Sequence, residues 1–259
     1  MPIIAFVLGL TLLTGCAIDK GTALAADFEE DWAGAPDVAK IHTTKDNTLP
    51  FLGKSTGTLI LKDGTSADSV TKLGNELGDY VTRHDKVTGR ITADDITFTV
   101  VVEERRTREV LALWRSLTAD DQVVNGDIDD RPWKGTDRWQ IEVTTVDATG
   151  AMAVFKDMVA DGDRHRPLSN VTSLEVGTEH GVRPRLSVAT GFDGGVPAEA
   201  IAAYEAVVAQ YSVVHASLQP DRVGIVVAES ADRDRAGELA RRAAPNLGAA
   251  VEVTSDSGD

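Results

Sequence analysis

From about residue 57 onward, the apolar positions of this chain switch repeatedly between a period of two and a period near 3.6. In the stretch from Ile96 to Glu103, Ile96, Phe98, Val100 and Val102 share one side, while Thr97, Thr99 and Glu103 take the other. The same alternation sets Trp139, Ile141 and Val143 against Gln140, Glu142 and Thr144, and Leu186 and Val188 against Arg185 and Ser187. Period two with one polar side predicts strands of a sheet covered on one face only. Between these strands the period lengthens. Val70, Leu73, Leu77, Tyr80 and Val81 form one helical stripe; Val110, Leu113, Trp114 and Leu117 form the next; Met152, Phe155, Met158 and Val159 form the third. Ile201, Tyr204, Val208 and Tyr211 form a fourth, and Ala236, Leu239, Ala240 and Ala243 a weaker fifth. Stripes of this kind face a core.

Strand, polar turn and amphipathic helix therefore recur, with units beginning near Gly57, Ile96, Trp139, Arg185 and Arg222. Their sequences do not align, so this is a repeated architecture without a sequence repeat. Further strands are expected at Val38–Thr44, Asn170–Gly177, Val214–Gln219 and Ala249–Ser255, with a hairpin turning around Glu179, His180 and Gly181. From Trp139 the order is strand, helix, strand, strand, helix, strand, which resembles the ferredoxin-like split βαβ plait. The expected class is α+β: ferredoxin-like plait units, with antiparallel or mixed sheets and helices on one face. Asn125 to Asp137, with its acids, Pro132 and two glycines, reads as a link between two lobes. The expected boundaries are an N-terminal lobe at 28–130, a linker at 131–138 and a C-terminal lobe at 139–259.

Composition narrows the function. The chain has 259 residues, 42% of them hydrophobic, enough for a core; its net charge is -15. No run of Lys and Arg offers the basic patch that phosphate backbones require, so nucleic acid is excluded as a partner. A single cysteine, Cys16, rules out an internal disulfide.

That cysteine follows the uncharged run Ile3 to Leu13, which is too short to span a bilayer, since a spanning helix needs about 20 apolar residues. It has the length of a signal-peptide core, although Met1-Pro2 before it carries no basic residue. Leu13, Thr14, Gly15 and Cys16 then resemble the lipobox of bacterial lipoproteins. The resemblance covers about the first twenty residues. It implies a signal peptide at 1–15, lipid attachment to the Cys16 sulfur with cleavage before it, and a body tethered to the extracytoplasmic face of the cell membrane. Residues 16–27 are expected to form the tether, with a helical turn suggested by Phe28 and Trp32.

Chemistry is sparse. The five histidines show no i, i+4 pair, and the body offers no cysteine ligand. His165, between Arg164 and Arg166, is expected in a solvated loop. Asn125, Asp127 and Asp129 start like a calcium loop, but Asp130 stands where the turn needs glycine and Thr136 where a bidentate glutamate belongs. Gly191 to Pro197 lacks the Lys-Ser/Thr end of a phosphate-binding loop and reads as a turn. Glu103 to Glu109 reads as a salt-bridged strand–helix junction. No Ser/His/Asp arrangement stands out, and neither catalytic residues, cofactor nor metal ligands are expected. The leading expectation is a non-catalytic envelope lipoprotein serving as an accessory or interaction module, with a possible envelope protein partner. The alternative is a small-molecule-binding lipoprotein with a cleft between lobes.

Overall fold

The computed structural model describes residues 20–47, 53–130, 139–160, 162, 164–165, 168 and 171–256. The lipobox residues Leu13, Thr14, Gly15 and Cys16, and the expected linker at 131–138, lie outside them. The described residues form a mixed α/β protein with one eleven-stranded sheet and six α-helices. In chain order these are α1 (Lys20–Trp32), β1 (Val38–Asp46), β2 (Lys54–Leu61), α2 (Ala67–Arg83), β3 (Val87–Ala93), β4 (Ile96–Val100), α3 (Glu104–Thr118), β5 (Val123–Asp130), β6 (Trp139–Thr145), α4 (Ala148–Val159), β7 (Val171–Thr178), β8 (Arg185–Ala189), α5 (Ala198–Val208), β9 (Val213–Gln219), β10 (Arg222–Val227), α6 (Arg233–Ala243) and β11 (Val251–Ser255).

The strands lie side by side in their order along the chain. Antiparallel hairpins alternate with parallel pairs, and each parallel pair is bridged by a helix. The five expected strand–helix units are β2–α2, β4–α3, β6–α4, β8–α5 and β10–α6. The order of elements from Trp139 is that of a split βαβ plait, but the pairing differs. The two strands of each crossover are immediate neighbours here, with none inserted between them. The sheet also continues from β5 to β6, which pair antiparallel from Val123↔Thr145 to Asp130↔Trp139.

Register explains why one face is apolar throughout. Leu59, Ile91, Phe98, Ile128, Ile141 and Leu174 pair across six successive strands, and Val176, Val188, Leu218, Val223 and Val251 continue across the rest. All are buried, and the helices cover them. On β2, only a glycine fits at position 57, because the Phe28 ring of α1 lies where a side chain would begin. The hairpin between β3 and β4 turns at Asp94 and Asp95, with φ of 49° and 59°, the left-handed backbone that Asp tolerates better than most residues.

Strand direction reverses from one crossover to the next, the chain always steps to the same side, and the helices stay on one face. Successive crossovers must therefore alternate in hand. At least two of the five take the left-handed form, which β-α-β connections adopt in only about 2% of cases.

Two expected segments fold differently. Residues 20–27, read as tether, form the first two turns of α1. Gly21 and Ala25 are buried beneath them, on the same side as Phe28 and Trp32. The apolar stripe is there, but half of it is made of small residues. Asn125 to Asp130, read as part of a linker, lie in β5. Asp127 and Asp129 are tolerated there because they alternate with Ile128, which supplies the core contact, and point away from it.

Candidate functional site

The face of the sheet opposite the helices carries no covering element among the described residues. With strands spaced about 4.8 Å apart, it is roughly 48 Å wide. Its residues are the polar half of each alternation. Across β1 to β4, a row of His42, Thr58, Arg90 and Thr99 is set by direct pairing, and Thr44, Thr56 and Thr88 form another. The β-branched threonines suit a pleated, half-wet surface. They also bond to one another, as in the Thr92–Thr97 hydroxyl pair at 2.9 Å.

Toward the middle the face becomes acidic. Asp127, Glu142 and Glu175 are direct neighbours on β5, β6 and β7. Arg90 reaches past β4 to donate to Asp127 at 2.6 Å, and Thr99 donates to Asp129 at 2.8 Å. Ser187 donates to Glu175 at 2.8 Å. Glu142, however, sits between two like charges. Such neighbours oppose folding by a few tenths of a kcal/mol up to about 1 kcal/mol each. The acidic strip is therefore a local cost to stability, offset at its edges by Arg90, Thr99 and Ser187. The three calcium-loop candidates, Asn125, Asp127 and Asp129, share this face on an extended strand, which cannot wrap a cation as a loop does. Among the described residues, no three His, Cys, Asp or Glu side chains converge as a metal site would require.

The other polar cluster lies on the helix side. His165 is not solvated; it is 1% exposed. Its Nε2 lies 2.9 Å from Asp120 Oδ2 and its Nδ1 3.2 Å from Ser116 Oγ, while its backbone N–H donates to Asp157 at 2.7 Å. Arg164 also pairs with Asp120. Burial alone would raise the Asp120 carboxyl. The Gln122 backbone N–H, His165 and the Arg164 charge outweigh it and hold that carboxyl below its ordinary value. Ser116, His165 and Asp120 thus form a Ser/His/Asp contact that the sequence does not advertise, since His165 and Asp120 stand 45 residues apart. The imidazole and carboxylate are closed to solvent, and Ser116 Oγ also donates to Leu113 O at 2.9 Å. The arrangement ties the segment after α4 to the end of α3.

The remaining candidates resolve as turns. Gly191 to Pro197 closes on itself through Gly191 N–H to Gly195 O, 2.8 Å, and Gly195 N–H to Asp193 Oδ1, 2.9 Å. This leaves Phe192 81% exposed at its tip. At the β4–α3 junction, Arg105 and Arg106 both pair with Glu109, but Arg106 is buried and not solvated.

A separate concavity of about 500 Å³ opens between α1 and α2, lined by Asp31, Trp32, Glu76, Asp79, Tyr80, Arg83 and His84. Burial, then the nearby Asp31 and Asp27 carboxylates, push the Tyr80 hydroxyl up to about 12, with Arg83 acting weakly against them.

Comparison with protein families, curated proteins and solved structures gives no match.

Proposed function

We propose that this chain is a lipid-anchored envelope protein, held at the extracytoplasmic face of the cell membrane through Cys16, whose body acts without catalysis as a docking module for an envelope protein partner. The observation that supports the docking role is the uncovered polar face of the eleven-stranded sheet. A sheet face of that breadth with an ordered array of Thr, Arg and acidic side chains offers directional contacts to a flat partner surface. Among the described residues no helix is long and apolar enough to cross a membrane; the attachment in this reading is the lipid on Cys16 that the lipobox resemblance implies. Since α1 starts at Lys20, the extended chain from Cys16 reaches at most about 14 Å, and the body would ride close to the headgroups.

The second reading, a small-molecule carrier with its site in a cleft between lobes, draws less support because β5 and β6 pair along their length.

Photo-crosslinking residues placed at Thr92, Glu142 and Ser217 on the open face, and at Glu238 on α6 as a control, test the docking role in intact cells. One discrete adduct from the open-face positions, lost on Glu142→Lys, is the expected result. Equal adducts from α6, or none from the sheet, would reject it. For the anchor, the intact mass should carry acyl chains on Cys16, and Cys16→Ala should release the protein from membranes.

A further inference from the structure

The border strand β1 leaves a row of backbone groups unused by the sheet. The Ser55 N–H donates to Lys86 O, just ahead of β3, at 3.0 Å. Along β2 the backbone groups of Ser55, Gly57 and Leu59 therefore face β3, and those of Lys54, Thr56, Thr58 and Ile60 face β1. The residues paired with the second set, Asp46, Thr44, His42 and Lys40, bond inward. The N–H and C=O of Ile41, Thr43 and Lys45 point out of the sheet, on the side where no described strand lies. Such borders are commonly closed by a proline, a charge or a bulge. The bulge of β1 sits between Val38 and Lys40, ahead of this row, and Ile41 to Thr44 contain no proline and no Lys, Arg, Asp or Glu. The opposite border, β11, is only five residues long and carries Glu252.

The order of residues along this row is self-complementary. A second β1, turned about a two-fold axis through Thr43 and normal to the sheet, runs antiparallel to the first. Thr43 then meets the partner's Thr43, Ile41 the partner's Lys45 and His42 the partner's Thr44. Lys40 meets the partner's Asp46, and the symmetry makes that opposite-charge pair twice. Each outward N–H of the row finds an outward C=O. The faces agree as well. Ile41 and Thr43 stand opposite Leu59 and Gly57, on the helix side, in both copies; Lys40, His42, Thr44 and Asp46 stand on the open side in both.

We propose that this chain forms a two-fold dimer in which β1 pairs with β1 of a second copy, joining two eleven-stranded sheets into one. Because the axis is normal to the sheet, the helices of both copies lie on one side. The two α1 helices begin on that side, so two anchors at Cys16 can reach one membrane while both open faces turn away from it. The pairing itself does not rest on the anchor or on the docking role of the open face.

Analytical ultracentrifugation of the full chain carrying Cys16→Ala, from about 1 μM to about 1 mM, tests the pairing without the lipid. The mass should rise to that of a dimer with concentration. Thr43→Pro removes an outward N–H that the sheet does not use, at a position where a border strand tolerates proline. It should weaken association at least about tenfold while the melting temperature of the dilute protein stays near that of the parent. Lys40→Glu sets a like charge opposite the partner's Asp46 and should weaken association severalfold. Thr43→Cys in the same background should close a disulfide between copies under mild oxidation, since Cα atoms of such a pair lie about 5.5 Å apart. Thr58→Cys, on the open face of β2, should not. A chain that stays monomeric throughout, a dimer untouched by Thr43→Pro, or equal crosslinking from Thr58 overturns the proposal. So does a photo-crosslink from Thr43 in cells that captures a different chain and no second copy. None of these outcomes bears on the open-face crosslinks or on acylation of Cys16.

Discussion

Rings fill the space between helices and sheet in the α1–α3 half of the molecule, whereas alanine fills it at the α5–α6 end. Phe28, Trp32, Tyr80, Phe98 and Trp114 are all buried in the first region, and Trp114 also donates to Ala93 O at 3.1 Å. In the second, Ala200, Ala203, Ala236, Ala240 and Ala244 are buried, and α5 packs against α6. One repeated architecture is thus stabilised in two ways. Rings bring apolar area from few positions, while alanines let backbones approach and multiply weaker contacts.

The two solutions should fail in opposite directions. Trp114→Ala should destabilise by about 3–5 kcal/mol, through a cavity and an orphaned Ala93 carbonyl. Ala240→Leu should cost about 1–3 kcal/mol by overpacking, because Ala240 is fully buried and three more carbons must displace its neighbours. Chemical denaturation of both variants measures the difference. Were Ala240→Leu neutral and Trp114→Ala mild, the contrast between the regions would be one of appearance only.

The contact that latches the segment after α4 to the end of α3 offers a smaller test. His165, Asp120 and Arg164 join the segment after α4 to α3, so this contact links neighbouring units. Asp120 is held below its ordinary value in the folded protein. Its contribution is therefore complete above the unfolded value near 3.9 and disappears as pH falls through the lower folded value. His165→Ala should cost about 1–3 kcal/mol at neutral pH by leaving the Asp120 carboxylate short of a partner. It should also make the loss of stability below about pH 4 shallower than in the parent chain. Parallel acid-denaturation curves would count against the latch.

How much of this was legible beforehand also follows the local physics. The strict alternations of β4, β6 and β8 and the stripes of α2, α3 and α4 announce themselves because each apolar position is large. β3 does not, since Gly89 takes a core position against Leu77 and Val81. β5 does not, since its outward positions are acids and only Ile128 of its side chains is fully buried. In α5 the stripe is displaced: Val207 is buried and Val208 is 42% exposed, a choice that the run of alanines leaves undecided by pattern. The lipobox residues lie outside the described structure, so the anchor rests on their spacing alone. Strand pairing, the alternation of crossover hand and the Ser116–His165–Asp120 contact depend on partners distant in the chain, which no local window contains.

The open face supplies the smallest expected effect and the sharpest link to function. Glu142 lies between Asp127 and Glu175, and Arg90 answers only the Asp127 end of that row. If the strip existed only for folding, neutralising its middle would be pure gain. Glu142→Gln should therefore raise stability by about 0.2–1 kcal/mol, read as a small upward shift in melting temperature that shrinks as salt rises. The same substitution should weaken the open-face adduct if the partner reads this charge. A stabilised variant with an unchanged adduct would move the contact away from the acidic centre, toward the threonine rows of β1 to β4.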